Sequence, residues 1–196
     1  MNRIDKVKEY VNKLFDSIPS ARERDVAFIH TYGVAQLCSM LAAKRGLNPE
    51  LAYISGLLHD IYTYFTGSGI CHAVSGADMA RVVIRDMNIF TDEERVIILS
   101  AIFYHSDKTH IHDDYDEVLK DADAIQHYMN EACSEIFMPF RPRLCKVLEE
   151  LGINVNLPDI DEKVFVNTEK AFRRSLFADI AEDIASQNIP GENDNG

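Results

Sequence analysis

Apolar residues recur at steps of three and four along almost the whole chain, and this spacing limits the fold more than any other feature. In the first segment Ile4, Val7, Val11, Leu14 and Ile18 follow it until Pro19. The spacing places apolar side chains on one side of a helix, and proline ends a helix. The sequence therefore predicts an all-α protein in which any sheet is minimal.

Start and stop signals divide the rest of the chain into further helices. Asn48-Pro49 and Thr91-Asp92-Glu93-Glu94 are typical helix starts, while Gly46 and Thr66-Gly67-Ser68-Gly69 end or break helices. We predict further helices over about 22–45, 48–61, 73–87, 91–104, 115–133, 139–151 and 168–185. The segment 153–167 fits either short extended pieces or loop.

Two of these helices carry specific expectations about burial. The second has an apolar face with His30 at its centre, formed by Val26, Ile29, Gly33, Val34, Leu37, Met40 and Leu41. The fifth, 96–104, is apolar all round, which predicts a central and buried helix.

Length and charge narrow the classes of protein. The chain has 196 residues and a formal net charge of −12. We expect one domain over 1–187, with its motif-bearing core at about 22–134 and a disordered tail at 188–196. The acidity argues against binding to a nucleic-acid polymer, but it allows a small phosphorylated substrate.

No apolar run approaches the ~20 residues of a membrane span, and there is no signal-peptide core. We therefore expect a cytoplasmic protein that does not bind membranes; a homodimer is compatible with the sequence.

Histidines and acids at helix ends and on apolar faces suggest a metal site. They are His30, His59, Asp60, His72, His105 and the pair Asp121 and Asp123. Imidazoles and carboxylates suit divalent transition metals, and a helical bundle brings such positions together. His30 by itself also fits a hydrogen-bonded core histidine. Asp121 and Asp123 lie on opposite flanks of their helix, so periodicity does not choose between them.

The order of these residues resembles the HD-domain superfamily of metal-dependent phosphohydrolases. The resemblance rests on His30-Thr31-Tyr32-Gly33, on Gly56-Leu57-Leu58-His59-Asp60 and on Asp121-Ala122-Asp123-Ala124, and it covers about 26–128. It implies an HD-type helical bundle with a small C-terminal helical extension. It also implies that His30, His59, Asp60 and Asp123 hold one metal ion.

Two more histidines match members of the superfamily that bind two metals. The resemblance implies that Asp60 bridges to a second ion held by His72 and His105, with Fe, Mn, Co, Ni, Zn or Mg as the metal. It makes Asp60 a catalytic ligand, and we expect Asp121 to orient the attacking water. The lysine found after the HD pair in some phosphodiesterases of the superfamily is absent from Ile61-Tyr62-Thr63-Tyr64-Phe65.

The resemblance implies an enzyme that hydrolyses a small phosphoester, a nucleotide or dinucleotide, by attack of a metal-activated water on phosphorus. The alternatives are a di-iron oxygenase with the same six ligands and a non-catalytic regulatory module that binds metal or nucleotide. Four cations are candidates for binding phosphate, although each also fits a surface ion pair: Arg81, Arg85, Lys108 and Lys120. We expect His110 and His112 to lie in a solvated loop, and His127 to lie at the surface or beside a ligand.

Overall fold

The structure, a computed structural model, describes residues 2–130 and 140–154, which form eight α-helices and no strand. The helices are α1 (Arg3–Asp16), α2 (Ala21–Lys44), α3 (Pro49–Leu58), α4 (Ile61–Thr66), α5 (His72–Met87), α6 (Asp92–Tyr104), α7 (Asp114–Asn130) and α8 (Arg141–Glu150). The all-α prediction is confirmed for these residues. The predicted helix at 168–185, most of the ambiguous segment 153–167 and the predicted tail lie outside the described residues.

Side-chain caps fix several helix starts where the sequence predicts them. Ser20 accepts a hydrogen bond from the Glu23 backbone N–H at the start of α2. Thr91 and Glu94 form a reciprocal capping box at the start of α6, in which each side chain binds the backbone N–H of the other. These bonds satisfy N–H groups that the first turn of a helix leaves without partners.

The helix predicted to continue through Ile61 is interrupted at the His59-Asp60 pair. Helix α3 ends at Leu58, Asp60 has φ −112° and ψ 16°, and α4 begins at Ile61. In a continuous helix, two adjacent side chains would point about 100° apart. The break changes the backbone direction between them, and it allows both side chains to face the same interior region.

Helix α2 lies at the centre of the bundle, where it packs against α3 and α7. Its approach to α3 depends on Gly56, because a Cβ atom added there would lie only 2.6 Å from Cα of Ala35. Helix α6 packs against α3, α5 and α7. Each helix that carries a predicted ligand therefore packs against at least one other helix that does.

The predicted apolar face of α2 is partly wrong. Val26, Ile29 and Met40 are 54%, 59% and 48% exposed. The buried side instead carries mostly small residues beside His30, Val34 and Leu41, namely Ala27, Thr31, Ala35, Cys38 and Ala42. Small side chains allow α3 and α7 to approach closely. The side of α2 that carries these small residues is therefore the one that packs against α3 and α7, and the bulkier residues are left exposed.

Helix α6 is also less buried than its composition predicts. Ile98, Ala101 and Ile102 are buried, but Val96 and Phe103 are exposed. The helix therefore lies at the edge of the core, with one side facing outward. Periodicity gives no warning of this, because every side of the helix is apolar.

Helix α2 is also long and apolar enough to cross a membrane by length and composition alone, with a mean hydropathy of 1.4 over its most apolar 18-residue window. The sequence expectation that no run reaches this length is therefore wrong. A core helix of a soluble protein meets the same criterion. The buried side of α2, which holds His30 and packs against α3 and α7, has the contacts of a core helix.

Candidate metal centre

The six predicted ligands lie together in the interior of the bundle. Helix α2 contributes His30, the end of α3 contributes His59, and the break before α4 contributes Asp60. His72 begins α5, His105 follows the last residue of α6, and Asp123 lies within α7. Segments separated by up to 93 positions in the sequence therefore meet at one place.

The first group of ligand atoms surrounds Nε2 of His30. This nitrogen lies 3.1 Å from Nε2 of His59, 3.4 Å from Oδ1 of Asp123 and 3.6 Å from Oδ2 of Asp60. Nε2 of His59 also lies 3.3 Å from Oδ2 of Asp60. Two imidazoles and two carboxylates thus converge at distances that one ion would bridge.

The second group lies on the other side of Asp60. Nε2 of His72 and Nε2 of His105 are 3.1 Å apart, and they lie 3.8 Å and 3.4 Å from Oδ1 of Asp60. The carboxylate of Asp60 therefore points one oxygen at His30 and His59 and the other at His72 and His105. This geometry is suited to a bridging ligand.

Backbone carbonyls hold three of the imidazoles in the orientation that a metal ligand requires. Nδ1–H of His59 donates to the carbonyl of Gly56 (2.8 Å), and Nδ1–H of His72 donates to the carbonyl of Gly69 (2.9 Å). Nδ1–H of His105 donates to the carbonyl of Ile102 (2.6 Å). A carbonyl only accepts, so Nδ1 carries the proton and the neutral ring has a lone pair on Nε2. The lone pairs of all three rings face Asp60.

This arrangement fits a divalent cation, and several of its lone pairs have no partner unless a cation is bound. In their neutral forms His72 and His105 direct two lone pairs at each other with no hydrogen atom between them. Oδ1 of Asp60 and Oδ1 of Asp123 are buried and have no hydrogen-bond partner. Unpaired buried acceptors are costly, and a cation at each group would satisfy all of them.

The two acids are kept ionised despite their environment. Burial opposes ionisation of Asp60, but the nearby imidazoles of His59, His105 and His30 outweigh it and hold its pKa well below the usual range. Burial likewise opposes ionisation of Asp123, and Lys108 is the largest of the cationic neighbours that lower its pKa. Both carboxylates therefore stay negatively charged at neutral pH, the form that binds metal.

The pKa values of His105 and His59 are shifted in opposite directions by their surroundings. Burial lowers the pKa of His105 more than Asp60 raises it. Burial also disfavours the charged form of His59, but the charge of Asp60 outweighs it and raises the pKa of this ring. His59 therefore holds a proton more tightly than His105 does, and a metal ion must compete with that proton to bind His59.

Lys108, a predicted phosphate ligand, instead contacts one of the predicted metal ligands. Its Nζ lies 2.6 Å from Oδ2 of Asp123, and both side chains are buried. The contact leaves Oδ1 of Asp123 facing His30. Arg143 of α8 helps to hold the backbone at Lys108 in place, since its Nε–H donates to the Lys108 carbonyl at 3.0 Å.

The structure separates Asp121 from the cluster. Its carboxylate binds Arg45 at 2.6 Å and Arg143 at 2.7 Å, on the flank of α7 away from His30. This geometry contradicts the expectation that Asp121 orients an attacking water. Periodicity leaves Asp121 and Asp123 equivalent, and the ion pairs with Arg45 and Arg143 distinguish them.

The other predicted phosphate ligands are occupied elsewhere. Lys120 is buried, and its Nζ binds the His110 carbonyl and Glu117. Arg81 and Arg85 are exposed and pair with Asp78 and Asp86. These positions contradict a role in the cluster. Arg81 and Arg85 make the surface ion pairs that the sequence left as the alternative, whereas the ion pair of Lys120 with Glu117 is buried. His110 contacts Asp107 and is exposed, as expected for a solvated loop. His112 differs from that expectation, because it stacks on Tyr104 and is only 20% exposed.

The sequence leaves His127 either at the surface or beside a ligand, and the structure places it beside Asp123. Nε2 of His127 lies 3.3 Å from Oδ1 of Asp123, and these two residues with His30 form a further group that could hold a metal. The spacing of four positions from Asp123 was a usable signal, because it places both side chains on one helix face.

A cavity of about 500 Å³ opens next to the cluster. Its wall contains two ligands, His30 and Asp60, together with Arg22, Val26, Ile29, Tyr64, His127 and Asn130. The wall is therefore partly apolar, and Arg22 is the one permanently charged cation among the described residues that line it. A ligand that fills this space would contact both metal ligands and Arg22.

Comparison with known families agrees with this geometry. The family model of the HD domain matches residues 27–127, which is just over half of the chain and contains all six clustered residues. No solved structure matches the chain significantly. The HD domain is a helical fold whose members are generally metal-dependent hydrolases. The match and the grouped His and Asp side chains together establish that this chain belongs to the HD domain family.

Proposed function

We propose that this protein hydrolyses a small phosphoester, a nucleotide or dinucleotide, with two divalent metal ions. The observation that carries the proposal is the position of Asp60, whose two carboxylate oxygens each face a separate pair of imidazole nitrogens. Two ions that share one carboxylate are typical of hydrolytic sites for phosphoesters.

Bound divalent ions would polarise a phosphoryl oxygen and lower the pKa of a coordinated water toward about 7. The protein supplies orientation and charge. Carbonyls of Gly56, Gly69 and Ile102 fix three imidazoles in the ligand orientation. Lys108 holds one oxygen of Asp123, and this leaves the other oxygen for the metal.

The adjacent cavity supports a small substrate. Its volume of about 500 Å³ suits a small organic phosphate, and it exposes His30 and Asp60 to a bound ligand. With a net charge of −12, the chain as a whole repels an anion. Attraction of the phosphate would therefore come from the metal ions.

Metal content measured by mass spectrometry tests the two-ion site. We expect two ions per chain in the wild type, near zero in Asp60→Ala and about one in His72→Ala. His110→Ala is the matched control, because this histidine lies outside the cluster, and it should keep both ions. If His72→Ala keeps the wild-type metal content, the second ion is wrong.

A screen of nucleotides and phosphomonoesters with Mn, Co, Fe or Ni tests the reaction. We expect phosphate release that depends on metal and is lost in Asp60→Ala. Dioxygen consumption by the iron-loaded protein, measured in parallel, would favour the oxygenase instead. Absence of phosphate release with every metal would favour a regulatory binding module.

A further inference from the structure

Two hollows on the surface share part of their walls. The first is the cavity beside the metal cluster. The second, also about 500 Å³, is lined by Ile18, Ser20, Glu23, Thr63 and Gly67. Arg22, Val26 and Tyr64 line both. The hollows are therefore neighbours, and Arg22 stands where they meet.

Arg22 differs from most arginines of the described chain in having no partner there. Arg3, Arg45 and Arg143 each bind two acids, and the exposed Arg81 and Arg85 bind one acid each. No hydrogen bond or ion pair joins Arg22 to another described residue, and its side chain is exposed. A guanidinium without an acid partner beside an anion-binding site is available for a two-pronged contact with phosphate.

We propose that Arg22 binds a second anionic group of the substrate, next to the phosphate held at the metal cluster. The proposal rests on the proposed function, and it narrows the substrate class to phosphoesters with two neighbouring phosphates. Glu23 lines the outer hollow and repels further anions.

Alternative partners for Arg22 can be assessed from the residues that surround it. Val26, Ile29 and Tyr64 offer no carboxylate, and Asn130 is neutral. Asp60 lies in the same cavity wall but faces four imidazoles. Glu23 is the next residue on α2, and no contact joins its carboxylate to Arg22. The cation thus faces the space that a ligand would occupy.

Calorimetric titration of the metal-loaded protein tests the proposal without turnover. The probes are inorganic phosphate and imidodiphosphate, which carries two linked phosphates, at a fixed free metal concentration. We expect the wild type to bind imidodiphosphate more tightly than phosphate. Arg22→Gln should weaken imidodiphosphate binding at least tenfold and leave phosphate binding unchanged. Arg22→Lys should give an intermediate loss, because it keeps the charge and loses the two-pronged geometry.

Arg81→Gln is the control for general charge, since it removes an exposed arginine outside both hollows; it should bind both probes as the wild type does. Metal content is measured for each variant. Equal binding of the two probes by the wild type, or unchanged imidodiphosphate binding by Arg22→Gln, would overturn the role of Arg22. If neither probe binds the metal-loaded wild type, the proposed function fails as well.

Discussion

The ion pair between Lys108 and Asp123 offers the sharpest test of how the metal centre is built. Nζ lies 2.6 Å from Oδ2, and the two side chains are only 4% and 8% exposed. We expect Lys108→Met to leave the Asp123 carboxylate buried without its main cation. The variant should therefore destabilise the metal-free protein, even though methionine fills a similar volume.

The separation and the burial set the size of this effect. Two unit charges 2.6 Å apart attract by about 6 kcal/mol at an effective dielectric constant of about 20. Desolvation offsets part of that, and removing one partner of a buried pair typically costs about 3–5 kcal/mol. His30 and His127 still face Asp123 after the change. We therefore expect a loss at the lower end, about 3 kcal/mol.

Urea unfolding of the metal-free protein at pH 7.5 measures the loss. Asp123→Asn in the Lys108→Met background should recover part of it, because the variant no longer buries an unpaired charge. Lys146→Met, on the exposed side of α8, is the control and should change stability by less than about 0.5 kcal/mol. A loss under about 1 kcal/mol for Lys108→Met, or a double variant that shows only the sum of the single losses, would refute the reasoning.

Further predictions test the packing, the capping and the metal. Gly56→Ala should destabilise by about 3 kcal/mol in urea unfolding, because its Cβ would meet Ala35, whereas Gly69→Ala, with open space at its Cβ, should not; equal losses would contradict the packing argument. Thr91→Ala removes the side-chain cap of α6 and should lower the free energy of unfolding, measured with urea, by about 1 kcal/mol. Thr91→Ser keeps the hydroxyl and should lower it much less. Chelation should lower the melting temperature, reflecting about 2.7 kcal/mol when the free metal stands at 100 times its Kd. The metal-induced rise in melting temperature should shrink from pH 7.5 to pH 5.5, because the raised pKa of His59 makes the metal compete with a proton there; an equal rise at both pH values would count against imidazole ligation.

Local signals in the sequence account for much of the fold. The spacing of apolar residues and the caps at Asn48 and Thr91 predict helices whose observed ends lie within a few residues of those expected. These features depend on neighbours three or four positions away, so they can be read from the chain itself. The order of the histidines and acids, read through the family resemblance, also predicts the residues that cluster around Asp60.

On α2 the sequence does not predict which side of the helix faces the core. On α2 the buried surface follows the small residues that let α3 approach, so Val26 and Ile29 are exposed. The break at His59-Asp60 is likewise absent from the periodicity, which continues to Ile61. Both depend on close packing between helices that are distant along the chain.

What the sequence by itself determined is the all-α class, the helix starts and, through the resemblance, the set of ligands. The tertiary structure alone decided the roles of the charged residues around that set. It pairs Lys108 with Asp123 and Asp121 with two arginines, it brings His127 to Asp123, and it leaves Arg22 facing the cavity. The physical reason is that a charged side chain acts through whatever lies within a few ångströms of it, and those neighbours come from other helices.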